Sequence, residues 1–338
     1  MGGEARAIIL TDGKAGHENQ SKAFARALGL DFVLVPVKFR SPFHKALSYL
    51  FDFLGVHTIA LFNQSAWQST ESVSTHGLVQ AYGLRDSENV SGVSREQIRV
   101  LTIIGTGSGT FYAAKALARK TPGAKCGVVL YPRGYDLSSF DCILAPSFDN
   151  PAKRANVVEI PANLVANDAA FYEKGVAAFR ERYSGAADNL VGVIVGGPNK
   201  CSTMSAEWMK ARLDEIFAAN AGAQLCVTTS RRTPPEVEAL VDSYPWTYKL
   251  IYSRDHFNPI PAFVQLAKRL YVTAESTGML SEACTFGTAE VVALDNLKPG
   301  PHKFRRFVEN LRRGGYVDGS RKVDLSAEFA RARTLMGL

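Results

Sequence analysis

Short, almost continuously apolar runs alternate with amphipathic stretches along nearly the whole chain, and this alternation constrains the fold more than any other feature. Strands are expected at 7–11, 32–37, 100–105, 127–130, 142–145 and 157–160. A second series is expected at 191–196, 225–229, 249–252, 270–273 and 290–293. Runs without a polar residue at every second position belong to parallel strands covered on both faces. Helices are expected between them at 20–28, 109–120, 169–183, 205–220, 234–242 and 278–285. Strand and helix in alternation imply parallel sheets with right-handed crossovers. The fold class is therefore α/β, and 338 residues suffice for two such domains, each with its own core.

The boundary is expected between Pro161 and Asp168, where the first series closes and a helix leads into the second. One local signal is sharp: Thr233, Pro234 and Glu236 have the spacing of a capping box, with Thr233 as N-cap and Pro234 opening the helix. The stretch 38–99 is the least regular. Within it, the segment from Pro42 to Phe62 is rich in Phe, Leu and Tyr, with His44 and Lys45 near its start. It reads either as an amphipathic helix lying on a membrane surface or as a helix packed on its own sheet.

Several function classes are disfavoured by composition. Apolar residues make up 46% and charged residues 21%, which is globular rather than disordered. No apolar run is long enough to span a bilayer. The N-terminus, Met1-Gly2-Gly3-Glu4, has no signal-peptide core, and Ala7 stands where a myristoylation signal needs Ser or Thr. Cys126, Cys142, Cys201, Cys226 and Cys284 form no C-x-x-C pair and read as buried free thiols, with neither a zinc site nor a disulfide framework. A cytoplasmic location, peripheral to the inner membrane if attached at all, is the expectation. Net charge is +7, and residues 303–338 hold nine Lys or Arg against four Asp or Glu. Such a segment is either an anion-attracting patch or a solvated helix face. No recognition motif or regular aromatic interleaving points to nucleic acid.

Four strand-to-helix junctions bear glycine or polar residues. The first is Asp12-Gly13-Lys14-Ala15-Gly16-His17-Glu18-Asn19-Gln20. The second is Gly105-Thr106-Gly107-Ser108-Gly109-Thr110. The third is Gly196-Gly197-Pro198-Asn199-Lys200, and the fourth runs from Thr273 through Glu275, Ser276, Thr277, Gly278, Met279 and Ser281 to Glu282. None is a Walker A loop or a complete G-x-G-x-x-G. All four lie at the carboxyl ends of expected strands, where open α/β sheets bind ligands. Glycine lets the backbone approach a ligand, and the following helix offers unpaired N–H groups to an anion. Arg231 and Arg232, between strand 225–229 and the next helix, read either as a fork onto a diphosphate or as a surface pair. No nucleophile elbow is present. Of six histidines, His17 alone lies in a phosphate-type loop.

The first and fourth junctions, together with Asn258-Pro259, resemble the mitochondrial-fission (elongated-mitochondria) family, over about residues 7–315. Its bacterial members also carry the description of predicted nucleoside-diphosphate-sugar epimerases. Behind it lies a broader resemblance, carried by strand 191–195 with Gly196-Gly197 and by the Ser281-Glu282-Ala283 helix before Gly287. That pattern is similar to GT-B glycosyltransferases such as the lipid-linked N-acetylglucosaminyl transferase of peptidoglycan synthesis. The resemblance implies two Rossmann-like domains facing a cleft: 1–164 on the acceptor side, 165–324 binding the nucleotide, and a helix in 325–338 crossing back to the first. It implies ribose binding by Glu282, with Gly196, Gly197, Lys200, Arg231, Arg232, Ser276, Thr277, Gly278, Met279 and Ser281 around the nucleotide. It places Gly13, Lys14, Gly16, Asn19, Gln20, Gly105, Thr106, Gly107 and Ser108 in the sugar and acceptor loops. The chain departs from the family at Phe148, in Pro146-Ser147-Phe148-Asp149, where His is usual, and at Glu275, where Asp is commoner.

Three functions follow as expectations. One is glycosyl transfer from a UDP- or GDP-type nucleotide sugar to a cell-envelope or lipid-linked acceptor, with no obligatory metal and no tightly bound cofactor. Its base would be His17 or Asp149, with Asp12 beside His17. Another is nucleotide-sugar epimerisation on the same scaffold, with Asp12, Glu18 and Asp149 as acid–base carboxylates. The third is non-catalytic recruitment at an anionic membrane surface, through 42–62 and the basic C-terminal segment.

Overall fold

The computed structural model describes residues 6–63, 101–183, 185 and 189–338. The expectations on Met1–Glu4, on most of the irregular stretch and on Val100 fall outside these residues. The chain divides into two compact units, Met1–Ile160 with Leu325–Leu338, and Pro161–Asp324.

Unit 1 contains β1 (Arg6–Thr11), β2 (Asp31–Pro36), β3 (Thr102–Thr106), β4 (Lys125–Val129), β5 (Cys142–Pro146) and β6 (Val157–Ile160). All pairings are parallel, in the order β2-β1-β3-β4-β5-β6. Ile9 of β1 pairs with Leu34 on one side and Ile104 on the other. Ile8, Ile9 and Leu10 are all buried, as a strand covered on both faces requires. The covering helices are α1 (Ala15–Ala27), α2 (Pro42–Phe53), α3 (Phe111–Lys120) and the C-terminal α10 (Ser326–Met336).

Unit 2 contains β7 (Leu190–Ile194), β8 (Gln224–Thr228), β9 (Tyr248–Leu250), β10 (Arg269–Thr273) and β11 (Glu290–Leu294). They form a second all-parallel sheet, in the order β11-β10-β7-β8-β9. Its helices are α4 (Ala169–Arg180), α5 (Ala206–Ala219), α6 (Pro235–Ser243), α7 (Ile260–Leu266), α8 (Thr277–Thr285) and α9 (Lys303–Arg313).

All eleven expected strands are present, so the α/β class with two parallel sheets stands. Local expectations need four corrections. Helix α1 begins at Ala15, five residues before Gln20, because Glu18 and Lys22 pair across one turn at 2.7 Å and extend it. The capping box does not form: α6 begins at Pro235, and the Thr233 hydroxyl oxygen accepts from Ser230 N at 2.9 Å instead, while its hydrogen goes to Gly196 O at 2.6 Å. The 42–62 segment is not one helix, since α2 ends at Phe53 and Gly55 follows with φ +70°. All five cysteines are free, but Cys201 is only half-buried.

Candidate functional site

Each sheet has one topological switch point, where successive crossovers leave in opposite directions. In unit 1 it lies between β1 and β3, and in unit 2 between β7 and β10. Ligands of open α/β sheets bind outside the carboxyl ends of the strands at such points.

In unit 1 the first two glycine-bearing junctions meet at the switch point. His17 lies in the first turn of α1, so its ring turns back toward the end of β1. Its Nδ1 stands 3.1 Å from both Asp12 carboxylate oxygens. Lys14 Nζ reaches Asp12 Oδ2 at 2.9 Å, and Lys14 N donates to Oδ1. Burial alone would raise the Asp12 pKa; the Lys14 hydrogen bonds and the His17 charge outweigh it and hold it below the usual carboxylate value. An ionised Asp12 only accepts, so the proton of a neutral His17 resides on Nδ1 and Nε2 is left as the base.

Glycine is needed here for space. A Cβ on Gly107, whose φ is +80°, would stand 2.4 Å from the His17 ring, and one on Gly109 would stand 2.8 Å from Asp12. Gly13, Lys14, Gly16 and Asn19 are exposed, and Gln20 is half-buried with its Nε2 on Gly16 O. The α1 N-terminus has no side-chain cap. Gly105 and Thr106 are buried and structural; Thr106 Oγ1 bonds Ser21 Oγ at 2.6 Å. Lys45 of α2, absent from the expected site, sets its ammonium 2.8 Å from Ser108 Oγ. The two are 63 residues apart, and no local pattern signals such a contact.

Asp149 does not join this group. It lies in a short 3-10 turn after β5, three strands from β1, about 14 Å away at ordinary strand spacing. Phe148, at the family's histidine position, is buried and offers no proton.

In unit 2 the switch point is filled by one carboxylate. Buried Glu275 Oε1 accepts from Gly197 N at 2.8 Å, and Oε2 accepts from Asn296 Nδ2 at 2.7 Å. Gly196 N donates to Thr273 Oγ1 at 2.9 Å. The Gly196 and Gly197 amides are thus committed within the protein and cannot cradle a diphosphate as expected. Thr273 opens the fourth junction, whereas Asn296 was missed because it sits in no glycine-bearing turn.

The N-terminus of α8 is different. Ser276 makes no side-chain cap, and the Gly278 and Met279 amides meet no acceptor among the described residues. Gly278 is exposed, with open space where a side chain would be. Lys200, Arg231 and Arg232 are exposed on the loops after β7 and β8, the next strands along the sheet. Ser281, by contrast, is fully buried: its hydroxyl donates to Thr277 O and accepts from Asn163 N. Glu282 is half-buried, and its Oε1 accepts from Tyr172 OH at 2.9 Å and Asn167 Nδ2 at 3.1 Å. Burial raises its pKa against those two hydrogen bonds.

Much of the basic C-terminal segment is used internally. Lys322 Nζ donates to Ala283 O and Ala289 O, Arg331 to Ala155 O, and Arg333 to Leu28 O. Arg305 and Arg312 pair with Asp295 and Asp318. Its surplus charge therefore caps helix ends and loops more than it forms an open patch. Among the described residues no group of three His, Cys, Asp or Glu side chains is arranged to hold a metal, and no helix is long and apolar enough to cross a membrane.

Comparison with known structures finds the same architecture. A Listeria monocytogenes protein provisionally assigned as a UDP-N-acetylglucosamine 2-epimerase aligns with a TM-score of 0.50 at 12% identity, over 99% of this chain and 88% of that one. MurG of Acinetobacter baumannii aligns at 0.46 and 12% identity, over 98% and 90%. At such identities the likeness concerns the fold alone. In sequence, the mitochondrial fission protein ELM1 of Arabidopsis thaliana is 23% identical over 363 residues, covering 92% of this chain and 83% of that one. Residues 15–330 match the model of the family described as Mitochondrial fission ELM1, and the chain belongs to that family.

Proposed function

We propose that the chain binds a nucleoside-diphosphate sugar on unit 2 and transfers the sugar to an acceptor hydroxyl, with His17 of unit 1 as base. The observation that carries this reading is the uncapped α8 N-terminus with two unclaimed amides at a topological switch point, with exposed Lys200, Arg231 and Arg232 on the loops after the next two strands of the same sheet. Helix N-termini favour anions through free N–H groups and the macrodipole, and guanidinium groups fork onto phosphate. Glu282 Oε2 accepts from no described residue and is offered to ribose hydroxyls. UDP- and GDP-type donors both fit this chemistry, as does a cell-envelope or lipid-linked acceptor.

In the reaction the acceptor oxygen bonds to the anomeric carbon while the bond from that carbon to the phosphate oxygen breaks. The diphosphate leaves with the electron pair, and its charge falls on the α8 dipole and the two arginines. The hydroxyl proton passes to His17 Nε2, and Asp12 steadies the imidazolium.

The test is a thermal-shift panel of UDP, GDP and their sugars. A ligand at 100 times its dissociation constant adds about 2.7 kcal/mol of apparent stability. Replacing both Arg231 and Arg232 by Ala should weaken the responding nucleotide by about tenfold or more. His17→Gln should keep the shift and lower turnover by roughly 10²–10⁴. No shift with any nucleotide would sink the reading. Product analysis separates transfer, which releases a free nucleoside diphosphate, from epimerisation, which returns an isomeric nucleotide sugar.

A further inference from the structure

Helix α2 turns its polar side chains inward and its apolar ones outward. Its two buried residues are Ser48 and Asp52. Ser48 Oγ bonds Tyr135 OH at 2.8 Å. Asp52 pairs with fully buried Lys115 and accepts from Asp136 N at 2.6 Å. Leu47, Tyr49 and Phe51 pack partly against the core. The exposed residues from 42 to 56 are Pro42, Phe43, Ala46, Leu50, Phe53, Leu54, Gly55 and Val56, without one polar side chain.

Phe43 is 71% exposed and Phe53 85%. Of seven large apolar side chains exposed among the described residues, five lie on this one segment. Phe43, Leu50 and Leu54 follow each other at seven and four residues, one stripe about 16 Å long on a straight helix. Scattered exposed leucines need no explanation, but a contiguous stripe marks a surface that something covers.

The charges around the stripe select the occupant. From Phe32 to Asn63 the only acid is Asp52, which Lys115 neutralises out of contact with solvent. Lys38 and Arg40 are exposed just before α2. Arg119 is exposed near its far end, close enough to act on His57. An exposed acid, Asp136, does lie close by, but on the side of Asp52, which faces inward, and its carboxylate is engaged by Ser138 and Ser139. The apolar stripe itself carries no acid, and with Lys38, Arg40 and Arg119 near it, it matches the boundary between anionic headgroups and acyl chains.

The geometry points to α2 as a docking ridge for an anionic bilayer surface, with Phe43, Leu50, Phe53 and Leu54 inserted among the acyl chains and Lys38 and Arg40 on the headgroups. The buried Lys115–Asp52 pair and the Ser48–Tyr135 bond hold the ridge outward, so no rearrangement is needed for insertion. A single interfacial helix binds reversibly, in keeping with peripheral attachment.

The test uses the full chain and vesicle sedimentation, with phosphatidylcholine vesicles alone and with added phosphatidylglycerol. Binding to the anionic vesicles is expected, weakening as salt is raised. Replacing both Phe43 and Phe53 by Ser should reduce it about tenfold or more, with the thermal midpoint unchanged because both rings face solvent. Lys38→Glu should cost about fivefold on anionic vesicles and little on neutral ones. No vesicle binding by the wild type, or equal binding by the double variant, overturns the proposal. So does a dimer that the same substitutions dissociate, which would make the stripe a contact between copies. A lower melting point in the double variant would show the ridge covered by the chain itself and overturns it too. The nucleotide-induced thermal shift is read on the same variants and should be untouched, so the two readings fail separately.

Discussion

Glu282 shows how a side chain chosen by motif acquires constraints that the motif does not contain. Its Oε1 is held by Tyr172 and Asn167, more than a hundred residues away in sequence, and burial raises its pKa. A raised carboxyl binds its proton more tightly in the folded state. Its contribution to stability is therefore fully present below the unfolded value and is lost as pH rises through the folded one. Glu282→Gln keeps an acceptor for both partners and removes the titration. The variant should match the wild type near pH 4 and equal or exceed it at pH 7, read as melting midpoints across that range. A wild type that gains on the variant as pH rises would refute this account. Gly107 tests the other unit. With φ +80° and the His17 ring against it, Gly107→Ala should destabilise by about 1–3 kcal/mol and disturb the His17–Asp12 contact. The second effect is read from the histidine's NMR titration. From sequence, both positions were legible as site glycine and site carboxylate. The internal use of the Gly196 and Gly197 amides was not, because the acceptors Thr273 and Glu275 come from another strand.

At the scale of elements, the strands were the legible part. Their apolar runs are dictated by burial on both faces, which no tertiary detail can relax. Helix ends were less so, since a cap is a competition for one hydroxyl. Thr233 has the right sequence for a capping box, yet its oxygen accepts from the Ser230 amide behind it rather than from the helix. Helix α2 was legible as an apolar helix, but which side faces inward depends on Lys115 and Tyr135, contributed by α3 and the loop after β4. Lys115 also lies 5.0 Å from the Phe140 ring centroid, so its charge is buried among aromatic rings. Lys115→Met should leave the Asp52 carboxylate buried without its cation and cost about 3–5 kcal/mol in denaturant unfolding. Adding Asp52→Asn should recover much of that loss, since the neutral amide still accepts from Asp136 N. If the double variant is no better than the single one, the cost is packing rather than an orphaned charge.

For the whole molecule, the order of the chain matters as much as its contacts. Unit 1 begins with the first residues and takes its last helix from Leu325–Leu338, after all of unit 2 has been made. Helix α10 packs on β4, β5 and β6. Its Met336 lies against Gly127 and Phe24 closes the same spot, while Arg333 caps the carbonyl of Leu28 at the end of α1. Without α10 the part of one face formed by β4, β5 and β6 is uncovered, so unit 1 cannot complete its core until the segment after unit 2 has been made. Apolar periodicity alone does not show which sheet a terminal helix joins; that expectation came from resemblance. Met336→Ala removes a fully buried side chain and should cost about 2–5 kcal/mol, lowering the unit 1 transition by roughly 5–15 °C. Ending the chain at Asp324 should lower it further. In both cases the unit 2 transition, identified by the nucleotide that raises it, should stay in place. Calorimetry resolves the two, and a truncation that lowers them equally would mean that the units unfold as one cooperative body.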